Sequence, residues 1–152
     1  MQQLYQDSMA IVHFFGKPDL FITVTANPNW PEIRDALLPG QSASDQPDLI
    51  TRVFNLKLKA ILEDLVKNGV LGKCVAHVYA IEFQKCGLPH AHMLIFLDHN
   101  CKFEEPDQVD LCISAEIPDP ETHPMLYATV TSKMMHGPCG TSKLASIISF
   151  TY

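Results

Sequence analysis

The chain has 152 residues, of which 47% are hydrophobic and 18% charged, and its formal net charge at pH 7 is −6. This composition is typical of a single globular domain and excludes an intrinsically disordered chain, while the negative charge excludes nucleic-acid binding through bulk positive charge. No stretch approaches the ~18 apolar residues of a membrane-spanning helix, and the first ten residues lack the basic start of a signal peptide. We therefore expect no membrane segment, and any nucleic-acid role must depend on a local site.

The first half of the chain predicts one strand and one long helix. Residues 20–25 are apolar and β-branched, which indicates a strand, and the proline-containing segment 26–31 ends it. A polar loop is predicted over residues 39–48. In residues 48–68 apolar side chains recur at steps of three and four, which predicts an amphipathic helix with one buried side, and Gly69 suits its C-terminal cap.

The second half predicts a β-hairpin, an acidic loop and a short helix. Residues 75–84 and 90–97 alternate between apolar and polar side chains, as two antiparallel strands joined by a short turn would. Residues 101–123 hold seven acidic residues and one lysine, which predicts a solvated, loop-like excursion. Residues 121–136 predict a short helix. Together these elements indicate one domain of mixed α and β structure.

The five cysteines do not follow a disulfide or zinc pattern. Their number is odd and no Cys-x-x-Cys pair occurs. We therefore expect reduced thiols in a setting inside the cell, and no zinc cluster made by the cysteines alone.

The predicted hairpin brings two histidines and a carboxylate together. His90 and His92 are two residues apart on one strand, so both side chains project from the same face, with Cβ atoms ~7 Å apart. Glu82, on the preceding strand, can reach that face across the hairpin. Two imidazoles and one carboxylate leave open positions for water or phosphate oxygens and fit Mg²⁺ or Mn²⁺, although zinc would also bind. Gln84 is expected either to support this site with a hydrogen bond or to replace Glu82 as a ligand.

A His-x-His pattern also occurs by chance, so the alternative is that these side chains only pack. A cluster of polar side chains on one face of a hairpin favours the metal site. His77 falls on the opposite face of its strand and is expected to pack or to lie at an edge. Three more histidines are expected at the surface, namely His13, His99 and His123.

The hairpin segment carries a family resemblance. Residues 82–92, Glu-Phe-Gln-Lys-Cys-Gly-Leu-Pro-His-Ala-His, resemble the metal motif of HUH endonucleases, in which two histidines flank a hydrophobic residue. More closely, the chain is similar to the helicase-like N-terminal (Rep) domain of Helitron transposons. One departure is Cys86, where that family usually has a basic residue. The matching blocks outside the hairpin are residues 3–7, 15–23, 25, 27–33 and 135–140.

The resemblance implies a fold and a reaction. The fold is α+β, with an antiparallel sheet of about five strands, helices packed on it, and the metal motif on a central strand. In the reaction, Mg²⁺ or Mn²⁺ polarises a phosphate of single-stranded DNA and a tyrosine hydroxyl attacks it, which leaves a 5′-phosphotyrosyl adduct and a free 3′-OH that can be joined. By the resemblance Glu82, His90 and His92 are the metal ligands. The partner is single-stranded DNA, the setting is nuclear, and an intact relative also carries a helicase portion.

Three residues after the first strand are candidates for DNA contacts. Trp30 is placed to stack on a base, and Asn27 or Asn29 to hydrogen-bond to DNA. The alternative for Trp30 is an anchor in the core or the loop, and for the asparagines it is stabilisation of the turn.

The catalytic tyrosines of the family stand as a pair one helical turn apart, and no Tyr-x-x-x-Tyr pair occurs in this sequence. Tyr127 is the one candidate for a replacement nucleophile, with packing as its alternative. Tyr5 is expected to pack, Tyr79 to point away from Glu82, and Tyr152 to fray at the terminus.

Residues 1–140 are therefore expected to form an incomplete, C-terminally truncated Helitron-like Rep domain, followed by a divergent tail, residues 141–152. Such a domain would bind metal and single-stranded DNA but would not cleave through a tyrosine. Three alternatives stay open. One is a non-catalytic fragment that binds DNA or a protein without using the histidines, and another is a metal hydrolase in which metal-bound water replaces the tyrosine. The third is a non-functional transposon relic.

Overall fold

The computed structural model describes residues 2–84, 87–113 and 116–135, without the side chains of residues 2–5, 111, 112 and 133. The chain divides into two compact units, residues 1–102 and residues 103–152. The predictions for Cys86, Tyr152, the tail and the side chain of Tyr5 lie outside the described residues. No helix in the described part of the chain is long and apolar enough to cross a membrane.

The first unit contains three helices and three strands as its main described elements. In chain order its main elements are α1 (Gln2–Phe15), β1 (Leu20–Thr25), α2 (Pro31–Arg34), α3 (Pro47–Val66), β2 (Cys74–Phe83) and β3 (Pro89–Leu97). The predicted strand, long helix and hairpin are confirmed to within about two residues. Helix α1 was not predicted. It ends at Gly16, whose positive φ of 81° is the left-handed conformation that glycine adopts at helix ends.

The three strands form one antiparallel sheet in the order β1-β3-β2, so β3 is central. The prediction that the His-x-His motif lies on a central strand is therefore confirmed. About five strands were expected, and the described residues contain three, so the five-stranded sheet of the resembling family is not confirmed.

The core lies where α3 contacts the sheet. Alternation along β3 places Ala91, Met93 and Ile95 on one face, and all three side chains are at most 1% exposed. Helix α3 contacts β2 and β3 and buries its apolar stripe, which includes Phe54 at 0% exposure. The other face of the sheet carries His90 and His92. We call it the site face.

The second unit corrects the prediction for the acidic segment. Residues 101–123 were expected to be loop-like, but they contain a helix, α4 (Pro106–Cys112). Pro106 suits the first turn, and the side chains of Glu105 and Gln108 form a capping box that satisfies free backbone N–H groups. The short helix predicted over residues 121–136 begins at Pro124, as α5 (Pro124–Thr129), and continues into a π-helical turn, Val130–Met134.

Candidate metal centre

Two strands bring the three predicted ligands together. Glu82 on β2 is directly opposite His90 in the register of the sheet, and His92 lies two residues further along β3 on the same face. One ligand atom from each of Glu82, His90 and His92 lies within 4.8 Å of the others. The juxtaposition that the sequence predicted is present.

The hairpin turn sets this register. Gly87 has a φ of +78°, a conformation that few residues other than glycine adopt, and its N–H donates to the carbonyl oxygen of Gln84 at 2.8 Å. The N–H of Gln84 in turn donates to the carbonyl oxygen of Leu88 at 3.0 Å. Since a shift of one residue would move every side chain to the other face, the turn decides that Glu82 faces the histidines. The role predicted for the Gln84 side chain stays a prediction.

The site opens toward solvent on the side of Glu82. His90 is buried, whereas the side chain of His92 is 37% exposed and that of Glu82 is 62% exposed. Nε2 of His92 lies 2.9 Å from Oε1 of Glu82. This hydrogen bond is the main reason why the pKa of Glu82 is below its ordinary value, with smaller contributions from the charges of the two histidines. The carboxylate is therefore ionised at neutral pH and available to a cation.

Strand β1 holds both imidazoles, each in a different way. Oγ1 of Thr25 lies 2.6 Å from Nδ1 of His90. The ring of Phe21 stacks on that of His92, with centroids 5.6 Å apart and planes 4° from parallel. Nδ1 of His92 is buried and has no hydrogen-bond partner among the described residues. Strand β1 thus contacts His90 through a hydrogen bond and His92 through a ring stack, which adds to the hydrogen bond between His92 and Glu82.

The sequence predicted a strand over residues 20–25 but no role for Phe21 and Thr25 at the site. The signal was available in the alternation of the strand, which puts Phe21, Thr23 and Thr25 on one face. The sequence did not show that Thr25 pairs with His90 and Thr23 with His92. These partners are 65 and 69 positions apart in the chain, respectively.

The donor set fits a divalent cation. Ligands of one ion bound at ~2.1 Å lie ~3 Å apart when they occupy neighbouring corners of an octahedron. The ligand atoms of Glu82 and His92 are already 2.9 Å apart, and those of all three residues lie within 4.8 Å of one another, close to the spacing that one ion requires. Imidazole and carboxylate ligands do not by themselves select one metal, because affinity for such sites rises along the first transition row.

The family model of the Helitron helicase-like domain at the N-terminus matches residues 1–95. The chain belongs to this family. The matched range contains β1, β2, nearly all of β3 and the three candidate ligands, so the family assignment and the site rest on the same part of the molecule. A search of curated proteins finds no match.

The proposed DNA-contacting residues of this Helitron helicase-like domain form the turn after β1. Oδ1 of Asn27 accepts a hydrogen bond from the N–H of Asn29 at 2.8 Å, so Asn27 stabilises the turn as the alternative interpretation expected. Trp30 is half-buried at the start of α2, and the Lys57 ammonium lies 5.0 Å from its ring centroid. This turn leaves β1 directly after Thr25, at the same end of the sheet as His90. Contact of these side chains with DNA stays a prediction.

Among the residues whose side chains the structure describes, the other histidines and tyrosines lie on the opposite face of the sheet, at the surface or in the second unit. His77 stacks on Tyr79, with centroids 6.3 Å apart, on the opposite face of β2, as predicted for both residues. The three histidines expected at the surface, His13, His99 and His123, are exposed. Tyr127 lies in α5 of the second unit and is 36% exposed, and its role as a nucleophile stays a prediction.

Replacing Phe21 with leucine is expected to weaken metal binding ~2–10-fold, since aromatic pairs of this kind contribute ~0.5–1.5 kcal/mol beyond buried area. The loss arises because the His92 ring would then be free to leave the ligating orientation. Titration calorimetry with Mn²⁺ measures it. The control is Phe83→Leu, a 61% exposed phenylalanine on the opposite face of the same sheet. Equal affinity of the two variants would show that the stack does not orient His92.

Proposed function

We propose that this Helitron helicase-like domain binds single-stranded DNA through a divalent cation, Mg²⁺ or Mn²⁺, held by Glu82, His90 and His92. The observation that carries the proposal is the convergence of these three ligand atoms within 4.8 Å on a sheet face whose Glu82 side is exposed. Membership in a helicase-like family supports nucleic acid as the class of partner.

Charge at the site supports a phosphate as the group that is bound. When bound, the cation would supply positive charge that polarises a phosphate oxygen and makes phosphorus easier to attack. Two neutral imidazoles and one carboxylate would cancel only one of its two charges, so the site would stay locally positive. A local positive centre resolves the conflict between DNA binding and a chain whose net charge is −6.

In this proposal the three candidate ligands have different roles. Glu82 contributes the negative ligand and, because of its exposure, faces the side from which DNA would approach. His90 and His92 contribute neutral donors from a buried central strand, which gives the site a rigid base. Nicking and joining of the strand would further require a tyrosine nucleophile, for which Tyr127 is the candidate.

Metal-dependent DNA binding is the decisive test. The affinity of the purified chain for a fluorescently labelled single-stranded oligonucleotide is measured by anisotropy. We expect this affinity to rise at least ~10-fold when EDTA is replaced by Mn²⁺. A tenfold rise corresponds to ~1.4 kcal/mol, which one added contact between the cation and a phosphate can supply. His77→Ala serves as the control, since that residue lies on the opposite face. Equal affinity in EDTA and in Mn²⁺ would contradict the proposal.

The same preparation tests cleavage. With labelled single-stranded DNA and Mn²⁺, followed by denaturation in detergent, we expect no label to travel with the protein, because the sequence lacks a Tyr-x-x-x-Tyr pair and Tyr79 lies on the face of the sheet opposite the triad. A covalent band that disappears in Tyr127→Phe would show instead that Tyr127 is the nucleophile and that the chain is a strand-nicking enzyme.

A second candidate function is DNA or protein binding without metal. Tyr79, the one tyrosine of the first unit whose side chain the structure describes, lies on the face of the sheet opposite the triad, which favours a role without strand cleavage. This alternative predicts that the double variant His90→Ala/His92→Ala binds its partner as the unchanged chain does. Loss of the Mn²⁺-dependent part of DNA binding in that variant would exclude it.

A further inference from the structure

A short hydrogen bond between Thr25 and His90 links β1 to the triad. Oγ1 of Thr25 and Nδ1 of His90 are 2.6 Å apart, in a partly buried position, between residues directly paired in the β1–β3 register. Both side chains are thus held by paired backbone on two neighbouring strands. This contact is therefore a fixed feature of the sheet and does not depend on a loop.

When His90 binds a cation, the chemistry of imidazole determines which atom of the Thr25–His90 hydrogen bond is the donor and which is the acceptor. A neutral imidazole carries one proton and one lone pair on its two nitrogens. Since Nδ1 of His90 is engaged by Thr25, Nε2 is the nitrogen that would bind a cation, and it must then carry the lone pair. The proton must sit on Nδ1, and the hydroxyl oxygen of Thr25 must accept it.

We propose that Thr25 is a positioning residue for metal binding, which fixes the Nδ1–H tautomer of His90 and aims its Nε2 at Glu82 and His92. This inference rests on the proposed role of His90 as a ligand. Ligating histidines generally donate their second N–H to an oxygen acceptor, and loss of that acceptor typically weakens metal binding 10–100-fold.

The neighbouring pair on the same strands provides an internal comparison. Thr23 faces His92 in the register as Thr25 faces His90, yet Nδ1 of His92 has no hydrogen-bond partner among the described residues. Two threonines on the same face of β1 therefore differ in this one contact. Thr23 is exposed, which makes it a tolerant position for a control substitution.

Three variants of the full chain separate the hydroxyl from the packing of the side chain. Thr25→Val keeps the shape and removes the hydroxyl, Thr25→Ser keeps the hydroxyl, and Thr23→Val makes the same change beside His92. By Mn²⁺ titration calorimetry, Thr25→Val is expected to bind ~10–100-fold more weakly, with Thr25→Ser and Thr23→Val within about threefold of the unchanged chain. Equal affinity of Thr25→Val and the unchanged chain would overturn the inference.

A spectroscopic readout tests the tautomer without metal. Long-range ¹H–¹⁵N correlation spectra of the metal-free chain are expected to show the proton of neutral His90 on Nδ1, and Thr25→Val to shift it toward Nε2. A proton on Nε2 in the unchanged chain would overturn the inference even if Thr25→Val fails to fold. His90→Ala tells the two proposals apart. If it leaves Mn²⁺ binding intact, the proposed metal site itself is wrong, whereas if it abolishes binding while Thr25→Val does not, only the role of Thr25 fails.

Discussion

Replacing both His90 and His92 with alanine is expected to weaken binding of Mn²⁺ by far more than 100-fold, to below detection in calorimetry. Two of three ligands disappear, and loss of an outer hydrogen-bond partner alone typically costs 10–100-fold. Glu82 would be left as a single exposed carboxylate, which holds a cation no better than the other surface acids do. The same titration with Zn²⁺ should give tighter binding than Mn²⁺ to the unchanged chain, because imidazole-containing sites follow the order of the transition series.

His77→Ala is the matched control for this variant. It removes an imidazole from the same sheet, and His77 lies on the opposite face, where it stacks on Tyr79. Metal affinity should stay within about threefold of the unchanged chain. If His77→Ala lost binding to the same extent as the double variant, the imidazoles would be acting through the stability of the sheet, and the triad would not be the binding site.

Replacing Phe54 with alanine is expected to destabilise the first unit by ~3–5 kcal/mol, since truncation of a fully buried phenylalanine side chain to alanine usually costs this much. Phe54 is 0% exposed on α3, the helix that contacts both strands of the hairpin. Natural domains have only ~5–15 kcal/mol of stability, so this loss removes a large share of it. Urea denaturation followed by the fluorescence of Trp30, the single tryptophan, measures the change.

Phe14→Ala is the control for the core variant. Phe14 is 81% exposed, and its described ring contact is with the neighbouring Phe15. Its loss should change the free energy of unfolding by at most ~1 kcal/mol. A Phe54→Ala variant that unfolded at the same urea concentration as Phe14→Ala would show that α3 does not pack on the sheet as described.

The histidine variant and the Phe54 variant are expected to change different properties, namely metal affinity and folding stability. The histidine variant should lower the urea midpoint of the metal-free chain by less than the Phe54 variant does, because the side chain of His92 is 37% exposed even though His90 is buried. The Phe54 variant should retain its metal affinity at urea concentrations where it is still folded. Measuring both properties on both variants therefore separates binding from folding.

The parts of this protein that follow a local period could be predicted from its amino-acid sequence alone. Alternation over residues 75–84 and 90–97 predicted the hairpin and placed Glu82, His90 and His92 on one face, and the structure has the same arrangement. Steps of three and four over residues 48–68 predicted α3. These patterns are readable because the side-chain direction repeats every 2 residues in a strand and every ~3.6 in a helix. Family membership also followed from such contiguous blocks.

Contacts between residues that are far apart in the chain could be known only from the three-dimensional structure. The contacts of Thr25 with His90 and of Phe21 with His92 arise because β1 adds to β3 in one particular register, and no local period in the sequence specifies it. Helices α1 and α4 were missed for a different reason. In α4 a proline and a capping box stabilise a short helix inside an acidic segment whose net charge suggested a solvated loop. Local periodicity thus predicted which side chains form the site, while strand pairing decided which residues hold them in place.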